Sequence, residues 1–401
     1  MQDTRWGLSE LVLHQSVANH SHVRRIRRLR VGLLRAQIVL RSDLFESTEV
    51  KLHRSFTTNP QRCRYISIST QHRQTQDNLP ISLPSMLLHK PIRASITQIS
   101  LGRWLIGTTI ECRLVSEKPS ESHITAWKDG DGWYVITSTS ERPISTTRHD
   151  SNDLPLVHEG GEESAIWAIG SNALCKVHHR WSPDIPPENE IIQFVRENAP
   201  HVPVPEVLYF WAEEDRSFLI LKRVHGLTLR DAWEGLSDQQ QDSIVDEVAT
   251  FCRDLASLTA ERLQSVQGGP VVEPYLAHSG QDLLEPLSIS ESEAYFYRAD
   301  LQPNPTIGDR FHFYHPDLGP GNIIIKDQKV SGIIDWEAAG FYPHFWICTK
   351  PSVSRGLNFY PPISGVDEVE WRRKLRLKLQ SYGFPRYAEW FLEWRETKGR
   401  N

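Results

Sequence analysis

Two short segments concentrate the groups that can move a proton and hold a cation. The first is Tyr314-His315-Pro316-Asp317-Leu318-Gly319-Pro320-Gly321-Asn322, and the second is Ile333-Ile334-Asp335-Trp336-Glu337. Asp317 and Asn322 stand five residues apart across a Gly-Pro-Gly loop, and Asp335 follows thirteen residues after Asn322. Between them, Asn322–Lys326 and Val330–Asp335 read as two short β-branched strands joined by the turn Asp327-Gln328-Lys329. A hairpin of that length returns Asp335 beside Asn322. One carboxylate is then free to take or orient a hydroxyl proton, while an amide oxygen and a second carboxylate suit a hard cation. Mg²⁺ prefers few protein oxygens completed by substrate phosphates. Phosphoryl transfer asks for this set: positioning, charge neutralisation and a base aimed at a hydroxyl.

His-Pro-Asp-Leu-Gly-Pro-Gly-Asn with Ile-Asp-Trp-Glu resembles the H-x-D-x-x-x-x-N and D-x-E signatures of the aminoglycoside phosphotransferase and choline kinase family, whose fold is protein-kinase-like. The resemblance runs over about residues 155–401. It implies ATP and Mg²⁺ in a cleft, with Asp317 as the base, His315 bracing its loop, and Asn322 and Asp335 holding the metal. Lys176 lies in the otherwise apolar strand Ala173–Val177, where an unpaired charge is costly. The resemblance makes Lys176 the contact to the nucleotide phosphates, with Glu190 as its ion-pair partner and Glu188 as the second choice. It also implies that the backbone from Lys222 to Val224 faces the adenine ring. No G-x-G-x-x-G is present; Gly160-Gly161-Glu162-Glu163-Ser164 is the glycine turn ahead of the first strand, and Ser164 is the loop residue named for phosphate. Trp-Glu follows Asp335 in place of Phe-Gly, and no A-P-E comes after it. Both features disfavour a protein kinase.

These elements need a scaffold. At 401 residues the chain is long enough for two or three domains. A net charge of −5 argues against a nucleic-acid partner, and the five scattered cysteines contain no C-x-x-C pair. They read as reduced thiols of a cytoplasmic protein. No apolar run reaches the ~18 residues of a membrane span, and no H-E-x-x-H metal motif occurs.

Four regions follow. Residues 1–100 read as a basic, poorly ordered leader, with apolar residues at helical spacing on arginines over Val23–Leu33. Residues 101–153 read as a small β-rich extension and linker. Trp104–Val115 forms one strand there, and a hairpin turns at Lys128-Asp129-Gly130-Asp131-Gly132. The polar linker is Ser140–Asp153. Residues 154–225 read as the nucleotide-binding lobe, with strands Glu163–Ile169 and Ala173–Val177 and a helix over Pro187–Asn198. Residues 226–401 read as the catalytic lobe. It holds a helix capped by Ser237-Asp238-Gln239-Gln240 with Ile244, Val248, Phe251, Leu255 and Leu258 on one stripe. An irregular stretch over 263–310 and two closing amphipathic helices complete it.

The fold class is therefore α+β, a bilobal kinase-like architecture behind the leader. The expected activity is transfer of the γ-phosphoryl group of ATP to a hydroxyl of a small-molecule acceptor. The competing reading is a non-catalytic nucleotide-binding or scaffold protein.

Overall fold

The computed structural model describes residues 50–52, 68–70, 91–119, 122–139, 154–179, 184–213, 215–278 and 281–398. Most of the expected leader, its arginine-rich stretch Val23–Leu33 and the linker Ser140–Asp153 lie outside the described residues. Within the leader, Val50–Leu52 pairs antiparallel with Ile68–Thr70.

A five-stranded antiparallel sheet comprises β1 (Ile96–Ser100), β2 (Arg103–Ile106), β3 (Ile110–Val115), β4 (Thr125–Asp129) and β5 (Gly132–Ser138). Its spatial order is β1-β2-β3-β5-β4. It begins at Ile96, ahead of the boundary at 101 read from composition. Trp104–Val115 is two strands rather than one, because Gly107 turns the chain at φ +67°. Asp129 pairs with Gly132 across Gly130-Asp131, so this acidic glycine run is a tight hairpin turn.

The second sheet comprises β6 (Leu156–Glu159), β7 (Ser164–Ile169), β8 (Ala173–His179), β9 (Val207–Ala212) and β10 (Arg216–Lys222), with α1 (Glu188–Asn198) between β8 and β9. Its order is β9-β10-β8-β7-β6. Side chains alternate across a strand. On β8, Ala173, Cys175 and Val177 are fully buried in a core shared with Trp104, Ile106, Trp127 and Ile136 of the first sheet. Trp211 and Phe218 join that core, with ring centroids 4.7 Å apart. Leu174, Lys176 and His178 alternate to the opposite face. The first sheet therefore covers one side of the second and leaves Lys176 on the other. There Leu219 and Leu221 of β10 join Ile191, Ile192 and Val195 of α1 in the larger core.

The remaining chain is mainly helical. Thr228 caps a short helix at Leu229–Ala232, and Ser237 with Gln240 forms a capping box on α2 (Asp238–Ala256). Ile244, Val248, Phe251 and Leu255 are buried along its core-facing stripe, whereas Leu258 lies past its end. The stretch 263–310 is less irregular than its composition suggests, for it holds α3 (Ile289–Phe296), opened by a second capping box from Ser288 and Glu291. Then come β11 (Phe311–Tyr314), β12 (Ile323–Lys326), β13 (Lys329–Ile333), β14 (Gly340–Tyr342), α4 (His344–Val353), α5 (Glu370–Ser381) and α6 (Ala388–Lys398). β11 sits between Thr259–Ala260 and β14. Among the described residues, no helix is long and apolar enough to cross a membrane.

Candidate active site

The Asp317 loop leaves the end of β11 and is braced from beneath. The Asp317 backbone N–H donates to His315 Nδ1 at 3.2 Å, which leaves Nε2–H to donate to the Ile334 carbonyl at 3.1 Å. His315 is fully buried, and its ring lies 4.6 Å from that of Trp336. Burial depresses the imidazole to about 4, so it stays neutral and acts as a structural bridge. Trp371 Nε1 donates to the Leu318 carbonyl at 2.9 Å and holds the loop from the α5 side.

Asn322 closes the loop. Its side-chain amide donates to the Asp317 carbonyl at 2.9 Å and to Asp317 Oδ2 at 3.0 Å. Burial, reinforced by the nearby Asp335 carboxylate, lifts Asp317 to about 6. A carboxylate in that range can accept a proton near neutral pH.

β12 and β13 form the anticipated hairpin. Its turn is shorter than read from sequence: Lys326 pairs with Lys329, and Asp327 and Gln328 adopt φ +51° and +62°. The Ile334 N–H donates to the Asn322 carbonyl at 2.9 Å, which sets Asp335 next to Asn322. Asp335 itself has φ +66°. A non-glycine residue held there is unusual and points to a positional demand on its side chain.

Across the cleft, three carboxylates surround the Lys176 ammonium. Nζ reaches Asp335, Glu188 Oε2 at 2.8 Å and Glu337 Oε2 at 3.1 Å. Burial alone would lower the lysine, but Asp335, Glu188 and Glu337 hold it well above its ordinary value. In return Lys176 outweighs burial at Asp335 and keeps that carboxyl below the usual range. Glu188 Oε1 also accepts the Trp336 N–H at 3.0 Å, tying α1 to the Asp335 segment.

The assignment of Glu190 as partner of Lys176 is thus corrected to Glu188. The helix starts at Glu188, directly after Pro187. Two residues later the chain has turned about 200° around the helix axis, and Glu190 meets Gln267 instead. Sequence reading left Glu188 second and did not place Glu337 on Lys176. The acidic residue at helix entry was the available signal for the first, and the D-x-E spacing for the second.

The other named nucleotide residues stand apart from this cluster. Ser164 opens β7, and its carbonyl accepts the Gly160 N–H at 2.8 Å. The Lys222 N–H donates to the Glu206 carbonyl at 2.8 Å, and its exposed ammonium pairs with Glu206. Val224 packs against Gly332, where a Cβ would lie only 2.7 Å from Val224 Cγ1. At Gly226 (φ +153°) a Cβ would come within 2.4 Å of the Ile325 carbonyl oxygen. The connection between lobes therefore runs close against the β12–β13 hairpin.

A cleft of about 400 Å³ opens beside the lysine, lined by Lys176, His178, Glu188, Glu190, Gln267 and Glu337 among others. Glu188, Asp335 and Glu337 can each bring a carboxylate oxygen within 4.8 Å of the others. The Lys176 ammonium is the cation among these oxygens here, and carboxylate oxygens are also the donors a hard divalent ion such as Mg²⁺ takes.

A β-rich lobe carrying a carboxylate-bound lysine, set over a lobe carrying the Asp317 loop and Asp335, is the bilobal kinase-like α+β fold. Residues 156–345 match the model of the phosphotransferase enzyme family, the family that the paired motif resembles. That segment holds Lys176, Glu188, Asp317, Asn322 and Asp335. No match was found among curated proteins. Similar solved structures include the aminoglycoside phosphotransferase APH(2'')-IIa in a ternary complex with streptomycin and ATP, at 18% identity over 63% of this chain and 82% of that one, TM-score 0.39. ADP-bound APH(2'')-Ib is 19% identical over 63% and 81%, TM-score 0.38. An aminoglycoside-3'-phosphotransferase of type VIII is 16% identical over 62% and 94%, TM-score 0.38.

Proposed function

We propose that the protein transfers the γ-phosphoryl group of ATP to a hydroxyl of a small molecule. The observation that carries this reading is the convergence of Lys176, Glu188 and Asp335 from both lobes beside the Asp317–Asn322 pair. Lys176 would bind the nucleotide phosphates, with Glu188 holding the ammonium in place. Asp317 would accept or orient the hydroxyl proton of the acceptor; a loose transition state asks more of orientation than of base strength. His315 keeps the Asp317 backbone fixed through its two ring nitrogens. Asp335 and Asn322 would hold Mg²⁺, with Glu337 within reach, and the ion supplies charge neutralisation on phosphate oxygens when bound. The backbone of 222–224 would face the nucleotide base. The acceptor is a small molecule rather than a nucleic acid, and a cytoplasmic setting suits the reduced, buried cysteines Cys112, Cys175, Cys252 and Cys348.

The domain reading that accompanies this places the nucleotide lobe at 154–225 and the catalytic lobe at 226–401. The β-rich extension before them packs against the nucleotide lobe through the shared tryptophan core.

The test is ATP binding followed by thermal shift, with and without Mg²⁺, on the wild type and Asp335→Ala. A ligand that binds only the folded state raises apparent stability by mass action. The expected result is a Mg²⁺-dependent shift that Asp335→Ala loses. No shift in folded wild-type protein would favour the scaffold reading instead.

A further inference from the structure

The first β-sheet lies outside the segment that matches the family, yet one of its carboxylates holds the turn that contacts the connection between the lobes. Asp129 closes β4 at the hairpin turn. Its Oδ2 accepts the N–H groups of Ser171 at 2.6 Å and Asn172 at 2.9 Å, on the turn between β7 and β8. Gly170 precedes them at φ +65°, and a Cβ there would sit 2.3 Å from Asp129 Oδ2. The glycine is what lets the carboxylate approach.

Asn172 passes that anchor on. Its carbonyl accepts the Arg223 N–H at 2.8 Å, and its side-chain Oδ1 bonds His225 Nε2 at 3.0 Å. Its amide nitrogen donates back to the Lys128 carbonyl at 3.1 Å. The residues on both sides of Val224 are thereby held by one asparagine, and that asparagine is held by the first sheet. On the other side, Val224 and Gly226 already press against Gly332 and Ile325 of the catalytic lobe.

We propose that Asp129 is a positioning residue for the nucleotide site: through Asn172 it sets the backbone of residues 223–225 against the β12–β13 hairpin, so the first sheet is a working part of the nucleotide lobe. This rests on the reading above, in which that backbone faces the base.

The test uses the full chain and the variants Asp129→Ala and Asp129→Asn. The first readout is amide hydrogen exchange without ligand. Losing one such hydrogen bond is worth about fivefold in exchange, and we expect that acceleration at Ser171 and Asn172 in Asp129→Ala. The decisive position is Arg223, whose N–H does not touch Asp129. It should accelerate as well, by about twofold or more, and Asp129→Asn, which keeps an acceptor oxygen, should restore it. Unchanged exchange at Arg223 overturns the proposal. The second readout is affinity for Mg²⁺–ATP beside Mg²⁺–tripolyphosphate. Asp129→Ala should weaken ATP by about fivefold and leave tripolyphosphate alone. Equal losses for both would mean general loosening of the lobe and would overturn the positioning role. Wild-type protein that binds tripolyphosphate but not ATP overturns this inference alone, whereas binding of neither overturns the functional reading beneath it.

Discussion

Lys176 and Lys350 are both largely enclosed, and the protein treats them differently. Lys350 of α4 is paired one to one. Both oxygens of Glu273 lie 2.8 Å from its Nζ, and Glu273 has no exposure. The Tyr275 N–H and Trp346 Nε1 complete that carboxylate, and the ammonium sits 4.3 Å over the Tyr275 ring. Lys176 instead faces three carboxylates, and two of them, Asp335 and Glu337, keep about a third of their side-chain surface open. A balanced, sealed pair is scaffold. A lysine with surplus negative charge and an open side is a candidate functional site.

The largest effect tests the open side. Asp317→Asn should lower phosphoryl transfer to a true acceptor by about 10²–10⁴-fold, the usual worth of a positioned base, while ATP affinity stays near wild type. Full turnover in that variant would show that Asp317 neither takes nor orients the proton.

The sealed pair should answer with stability. Glu273→Ala leaves Lys350 buried without a partner, a change that costs about 3–5 kcal/mol. Urea unfolding of the ligand-free protein measures it. A cost under about 1 kcal/mol, the range of exposed pairs, would erase the contrast between the two lysines.

Asp317 connects stability to pH. Its carboxyl sits at about 6 in the fold and near 3.9 when unfolded. Between those values the folded state holds the extra proton, so this residue's contribution to stability is present below about pH 4 and is lost as pH rises through 6. Asp317→Asn removes the loss. In Mg²⁺-free buffer it should unfold later than the wild type at pH 7.5, by on the order of 3 kcal/mol, with the gap nearly closed at pH 4. An equal gap at both pH values would show that ionisation is not its cause.

The same contrast separates what could be read from the sequence from what could not. The Asp317 loop, the β12–β13 hairpin and the capped helix α2 were legible, because local spacing, β-branched runs and the Ser237–Gln240 box each act within a few residues. The match over 156–345 agrees with that reading of the family. Glu188 was ranked second because choosing between two acids on one short helix needs the rotation at which the helix meets β8, a tertiary quantity. The extent of the first sheet was missed for a similar reason. Ile92 and Ile96 look unremarkable alone and are buried only against Trp104, Trp167 and their neighbours across two sheets. The role of Asp129 was invisible, since its Asp-Gly turn explains itself without any partner forty residues on.

The smallest predicted effect bears on the corrected residue. Glu188 touches both Lys176 and the Trp336 N–H, whereas Glu190 accepts from the Gln267 amide. Replacing Glu188 by Gln still leaves Lys176 between Asp335 and Glu337, so its stability cost should stay near 1 kcal/mol, the worth of one hydrogen bond. Its cost in turnover should be larger, because the ammonium is then free to follow the other carboxylates away from the phosphates. Glu190→Gln should change stability by less than about 0.5 kcal/mol, as surface replacements do, and should leave the Mg²⁺-dependent ATP shift intact. Measuring both variants side by side decides between the two acids. If Glu190→Gln lowers turnover more than Glu188→Gln does, helix α1 presents its other face to Lys176 in the working enzyme, and the partner first read from the sequence is the right one.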